Sequence, residues 1–428
     1  MLSARRSCFS LIASIAVGFG ASTAASAQTT TAFGDSRWVA TWSSAPIAPG
    51  LTTIDAIFGG ARHRAFDNQT IRHIAHTSVG GRRVRVRLSN LFGTQPLRVG
   101  ATQIALRRAE SAIYPATNRR VTFSGQPSVL IPAGAVALSD SVELDVPADA
   151  DLAVSTFLPQ PTGLATFHEV TMQTSYISGA GNFASAVEIP DATPTDATFF
   201  VTAVEVLPSN SIGTLVAFGD SITQGAGSAK DQNHTWPDRL SERFNSNPSR
   251  PRLAVVNQGV GCGRILWDLC GPSALARFDR DVLATTGVSH VIVHLGINDI
   301  MIPTSLAAFG KPEYLAQLAT AQDIVGGLHQ LAIRARAAGL KVYGATITPF
   351  GSSPFPGIFT PENEAKRQAV NRWIRTGGSF DGVIDFDAVV RDPANPTRLL
   401  PLYDADGVHI TDAGYQAMAN AVPFSILY

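Results

Sequence analysis

Val216-Ala217-Phe218-Gly219-Asp220-Ser221-Ile222-Thr223-Gln224-Gly225 runs from an apolar stretch into Gly-Asp-Ser and on through a glycine toward a helix. A short apolar run closed by glycine reads as a buried strand. A serine at its end leaves its hydroxyl at the rim of a sheet, and in open α/β sheets that rim is where ligands bind. A serine hydroxyl is a weak nucleophile alone. The tripeptide carries chemistry only if the chain also supplies a base, an acid to orient that base and donors for an oxyanion.

Outward from this stretch, apolar runs recur at Leu253 to Val256, Val288 to Leu295, Lys341 to Ile347 and Gly382 to Phe386, beside Thr214 to Phe218. Between them Ile324, Val325, Leu328, Leu331, Ala332 and Ala335 form a helical stripe. Trp236 to Phe244 predicts another helix, with Thr235 and Asp238 spaced as a capping box. Strands alternating with helices predict a parallel sheet covered on both faces. From Ser36 to about Leu207 the pattern has period two instead. Arg83 to Leu88, Ser141 to Val146, Asp151 to Leu158 and Phe199 to Leu207 alternate, with turns such as Val79-Gly80-Gly81 and Ile131-Pro132-Ala133-Gly134. Many short strands with turn signals predict an all-β, sandwich-like domain. In it, Arg82 to Arg87 reads as a solvated strand face. Pro208-Ser209-Asn210-Ser211 marks the boundary, so the expected division is a β domain over 36–209 and an α/β domain over 210–428.

Of the 428 residues, 45% are apolar and 15% charged, and the formal net charge is zero. With no run of like charge, a nucleic-acid or membrane-surface partner held by bulk electrostatics is not expected. Arg5 and Arg6 precede an apolar stretch from Phe9 to about Gly20, followed by Ala25-Ser26-Ala27, which predicts a secretory signal peptide over 1–27. The expected destination is periplasmic or secreted, and no later apolar run is long enough to span a bilayer. Loss of Cys8 with the leader leaves Cys262 and Cys270, either a disulfide or two unpaired thiols. Closing so short a loop would stabilise by roughly 2–3 kcal/mol.

Four segments follow apolar runs and fall on one rim: Gly219-Asp220-Ser221, Asn257 to Arg264, Gly296-Ile297-Asn298-Asp299 and Asp406-Gly407-Val408-His409. His409 can accept the Ser221 proton near neutral pH. Asp406 can hold the imidazole in one tautomer. Asn298 and backbone N–H groups of Ser221 and the glycine-rich segment can serve a developing oxyanion.

As a set these segments resemble the four sequence blocks of the SGNH hydrolases, the GDSL esterase and lipase family, from roughly Thr214 to the C-terminus. The resemblance implies a three-layer α/β/α domain with Ser221 as nucleophile, His409 as base and Asp406 as its partner. It also implies an oxyanion hole of Ser221, the glycine-rich block and Asn298, and no cofactor. In many relatives a glycine donates from that block, and the alignment puts Cys262 there. Any residue except proline can donate a backbone N–H, yet cysteine resists backbone angles that glycine accepts. A register with Gly261 or Gly263 as donor stays open, and a Cys262–Cys270 disulfide would hold the loop.

The expectation is therefore an exported serine esterase acting on a small-molecule or glycan-linked ester of short to medium acyl chain. Its rivals are a carbohydrate O-acetyl esterase, a lipase or lysophospholipase, and a binding protein with a vestigial hydrolase domain. His290 with His294, and His73 with His76, lack Cys, Asp or Glu at ligand spacing, so no metal site is expected. His234 fits a pocket wall or the surface equally, and Trp267 fits a substrate contact or the core. Composition does not bear on the oligomeric state.

Overall fold

The computed structural model describes residues 37–49, 64–209, 211–246 and 252–427. The leader expected over 1–27 lies outside the described residues.

Ser211–Gly219, Arg252–Gly259, Val288–His294, Lys341–Ala345 and Gly382–Ile384 form one parallel sheet. Arg252–Gly259 is at one edge, Ser211–Gly219 comes next, and the later strands follow in chain order to the other edge. The chain thus builds to one side of Ser211–Gly219 and then returns to build on the other. Such a switch of direction opens a crevice at the carboxyl ends of the strands. Ser221 follows the first of these strands and Asn298 follows its inner neighbour. Leu215, Val216, Ala217 and Phe218 are fully buried, which is why this strand reads as an unbroken apolar run.

The two helices that the sequence predicts are present. Trp236–Asn245 opens on the Thr235–Asp238 capping box. Ala321–Ala337 opens on a second box, Thr320–Asp323, and buries Ile324, Leu328, Leu331, Ala332 and Ala335. Pro361–Thr376 and Asp412–Ala421 complete the main cover of the sheet.

The preceding region is β-rich. One antiparallel sheet orders Val39–Ser43, Val201–Val206, Gly81–Ser89 and Val142–Val146; a larger one is centred on Gln69–His76, Asp151–Leu158 and Ala101–Ala109. Val84, Val86 and Leu88 of the first share a core with Ile71, Leu152 and Val154 of the second. The arginine face of Gly81–Ser89 departs from the solvated reading. Arg85 and Arg87 both pair with the fully buried Glu205, and Arg85 also stacks 4.2 Å over Trp38. A buried carboxylate needs such partners, and period two alone does not reveal a charge on the neighbouring strand. Arg82 and Arg83 remain exposed.

The β-rich region and the parallel sheet interlock. Ala254 and Val260 pack in the β core, and Ala40 packs in the core of the parallel sheet. Gln258 Nε2 donates to Ser43 Oγ at 2.8 Å and Val255 N to Ser78 Oγ at 3.1 Å. Arg87 reaches Thr286 Oγ1 at 2.9 Å, just before Val288–His294. Among the described residues no helix is long and apolar enough to cross a membrane.

Candidate active site

The turn after Ser211–Gly219 is built by its own side chains. Asp220 caps a four-residue helix, Ser221–Gln224, by accepting from Ile222 N at 3.0 Å. Gly225 ends that helix at φ 114°, a left-handed conformation open to glycine. A Cβ on Gly219 would collide with Thr223. Ser221 is the first residue of the helix, so its N–H has no partner within it.

The Ser221 Oγ lies 3.0 Å from His409 Nε2, across 188 positions of sequence. On the far side of the ring, His409 Nδ1 lies 2.6 Å from Asp406 Oδ2. An ionised carboxylate only accepts, so Nδ1 carries the hydrogen and Nε2 is left to accept from the serine. Asp406 Oδ1 accepts from the backbone N–H groups of Val408 at 3.0 Å and His409 at 2.8 Å. Burial raises the Asp406 carboxyl, but its hydrogen bonds and the neighbouring imidazole outweigh that and bring it down to about 2. Gly407, at φ 88°, sits against the backbone of Ser352 and Ser353, where a Cβ would not fit.

Asn298 and Asp299 open the helix Ile297–Ala308 behind a left-handed Gly296. Both are buried, and both hold the glycine-rich loop. Asn298 Nδ2 donates to Gly263 O at 3.0 Å, leaving its second N–H for another acceptor. Asp299 accepts from Ile265 N at 2.8 Å and Leu266 N at 3.1 Å. Burial pushes the Asp299 carboxyl up to about 6. Within the loop Cys262 takes φ 45°, whereas Gly261 and Gly263 do not have positive φ. Cys262 thus takes a left-handed backbone that favours glycine. Cys262 and Cys270 are brought together, with Cα atoms 5.9 Å apart.

Some side chains at this rim are not legible in the sequence. Arg277 is fully buried beneath it and stacks 4.2 Å over Phe218. It donates to Gly219 O at 2.7 Å and Gln258 O at 2.9 Å, at the carboxyl ends of two neighbouring strands, and pairs with Asp281 at 3.0 Å. The four-residue spacing of Arg277 and Asp281 was the only hint. Asp220 is buried too, and desolvation pushes its carboxyl up to about 7.

The other histidines singled out from the sequence are held by partners of their own. His73 is buried with Nε2 2.9 Å from Phe199 O, and burial lowers it to about 4. His76 Nδ1 meets Asp151 at 2.8 Å. His290 stacks on Tyr343, and His294 packs edge-on against Phe386. His234 Nδ1 bonds Asp412 Oδ2 at 2.6 Å, so it braces the helix after His409. Trp267 is 45% exposed and so is no core residue.

Residues 217–417 match the model of the GDSL-like lipase/acylhydrolase family. No curated protein matches the chain. Among solved structures, a putative arylesterase from Agrobacterium tumefaciens is 22% identical with TM-score 0.34, over 49% of this chain and 95% of that one. The aryl esterase of M. smegmatis is 18% identical with TM-score 0.37, over 49% and 95%. A carbohydrate acetylesterase from Sinorhizobium meliloti is 15% identical with TM-score 0.37, again over 49% and 95%.

Proposed function

We propose that this chain, an ester-bond hydrolase by its GDSL-like lipase/acylhydrolase domain at residues 217–417, is a serine esterase for carboxylic esters of short to medium acyl chain. The observation that carries the reading is the relay from Ser221 Oγ through His409 to Asp406, with links of 3.0 and 2.6 Å. Ser221 Oγ attacks the ester carbonyl as His409 Nε2 takes its proton. The tetrahedral oxyanion is held by the N–H of Ser221, the N–H of Cys262 and the free N–H of Asn298. His409 returns the proton to the leaving alcohol. Water then attacks the acyl-serine, His409 taking one of its protons, and the acid departs with Ser221 restored. Every step uses side chains, backbone and water.

The same reading gives the domain a three-layer α/β/α build over 210–428 and makes 36–209 a sandwich-like β domain. It gives residues 1–27 the role of an export leader and joins Cys262 to Cys270 as a disulfide in the exported enzyme. Support for Cys262 as donor comes from its left-handed backbone at φ 45°, which a glycine would adopt more readily.

The test is hydrolysis of p-nitrophenyl esters of increasing acyl length, beside acetylated xylan and lysophospholipid. Rates that fall as the acyl chain lengthens, with no acetate released from xylan, are expected. Release of acetate from xylan at comparable rates would move the assignment to a carbohydrate O-acetyl esterase. Inactivity throughout, with Ser221 refractory to covalent serine reagents, would leave a binding protein.

A further inference from the structure

We propose that His168, from the β-rich region, is a positioning residue for the esterase site: through Gln224 it holds the nucleophile turn and the oxyanion loop in register with each other. The inference rests on the serine-esterase reading above and adds to it a part for the β-rich region.

Gln224 is the last residue of the helix that Ser221 begins. Its side chain leaves that helix for the β-rich region, where Nε2 donates to Val170 O at 2.8 Å and lies 3.1 Å from His168 Nε2. His168 Nδ1 lies 2.7 Å from Ala45 O, and Nε2 lies 3.1 Å from both Val170 O and Gln224 Nε2; Ala45 O, the nearer carbonyl, takes the ring hydrogen on Nδ1 and leaves Nε2 to accept from Gln224. Burial lowers the His168 pKa, which keeps the ring neutral. The Gln224 amide nitrogen is thereby held between two groups of the β-rich region, Val170 O and His168 Nε2, that also lie 3.1 Å from each other. His168 is itself anchored there, opposite Thr198 in an antiparallel pair.

The other side of Gln224 faces the glycine-rich loop. A Cβ on Gly259 would strike the Gln224 backbone, and one on Gly261 would lie 3.1 Å from Gln224 Oε1. Asn257 Nδ2 donates to Thr223 O at 2.7 Å, closing the turn onto the neighbouring strand. Gln224 therefore extends from the helix that carries Ser221, lies against the loop that carries Cys262 closely enough that a side chain at 261 would crowd its Oε1, and is held by two groups of the β-rich region. With the His168 end released, Gln224 keeps Val170 O but loses the acceptor that fixes its amide plane. The spacing between Ser221 and Cys262 is then free to drift, and small misplacements at a reacting centre are expensive in rate.

The experiment compares the full-length wild type with His168→Ala, His168→Gln and Ser221→Ala. A glutamine at 168 places an amide oxygen near the ring Nε2 position and can accept from Gln224. For His168→Ala, kcat on p-nitrophenyl acetate should fall about 10-fold with KM within about 2-fold of wild type. His168→Gln should recover most of kcat. Hydrogen exchange should quicken at 221–226 and 259–263 in the alanine variant and return in the glutamine variant. Unchanged kcat in His168→Ala, or His168→Gln no better than alanine, overturns the inference, as does unchanged exchange in those two segments. Full activity in Ser221→Ala would instead overturn the esterase mechanism, while the exchange comparison still judges the His168 link.

Discussion

Asn298→Ala separates the two tasks its amide performs. One N–H is bound to Gly263 O at 3.0 Å, in a residue that is 1% exposed. Losing that bond leaves a carbonyl without its donor inside the protein, at roughly 1–3 kcal/mol of stability. The other N–H is assigned to the oxyanion, and loss of one such donor costs about 10²–10³ in kcat, or ~2.7–4 kcal/mol of transition-state stabilisation. The loop does not depend on Asn298 alone. Asp299 still accepts from Ile265 and Leu266 in the variant, and Arg277 still grips Gly219 and Gln258. The variant should therefore fold, with a lower urea midpoint. Steady-state hydrolysis of p-nitrophenyl acetate well below the unfolding transition should show the loss in kcat, with KM within about 3-fold of wild type, because the oxyanion forms only in the transition state. A variant that loses stability yet keeps kcat within about 3-fold of wild type would refute the donor role and leave Asn298 a loop clamp.

Arg277→Met should lower stability by roughly 2–4 kcal/mol in urea unfolding, since Gln258 O loses the Arg277 donor, Gly219 O keeps only the Val260 N–H, and the buried Asp281 loses a charged partner; an unchanged midpoint would contradict the clamp. Asp220 titrates from its ordinary 3.8 up to about 7 when folded. The folded state then holds a proton that the unfolded chain has released, so its contribution to stability falls as pH rises from about 4 through about 7. Asp220→Asn still caps Ile222 and does not ionise, so urea midpoints of variant and wild type should diverge in the variant's favour across that window; a flat difference would refute the buried-carboxyl account. Non-denaturing reduction of Cys262–Cys270 should lower kcat, because Cys262 must hold φ 45° without glycine's freedom; a fully reduced enzyme at wild-type rate would make the bond purely structural.

The strands of the parallel sheet and the Thr235–Asp238 capping box were legible because each is written in contiguous residues. Periodicity predicted Ala321–Ala337 from Ile324, Leu328 and Leu331, and Thr235 and Asp238 marked the start of Trp236–Asn245. Ser221, Asn298, Asp406 and His409 stood out only as an ordered set, each weak alone; Asp406 and His409 were expected just past a strand, yet they follow the short helical turn Pro401–Tyr403. What was not legible depends on groups far apart in the chain. Arg277 looks like an ordinary helical charge until Gly219 O and Gln258 O appear above it. Arg85 and Arg87 look solvated until Glu205 is laid beside them. His168 meets Gln224, 56 positions on, only after the chain between them has folded into strands of four sheets.

Ser221 as the acylated residue is the centre of the account. The direct measurement is intact-mass and peptide mass spectrometry after treatment with a fluorophosphonate, on wild type and Ser221→Ala. One adduct per chain, on the peptide carrying Ser221, with loss of esterase activity and no adduct in Ser221→Ala, is the predicted result. An adduct on another residue, or wild-type hydrolysis by Ser221→Ala, would contradict it.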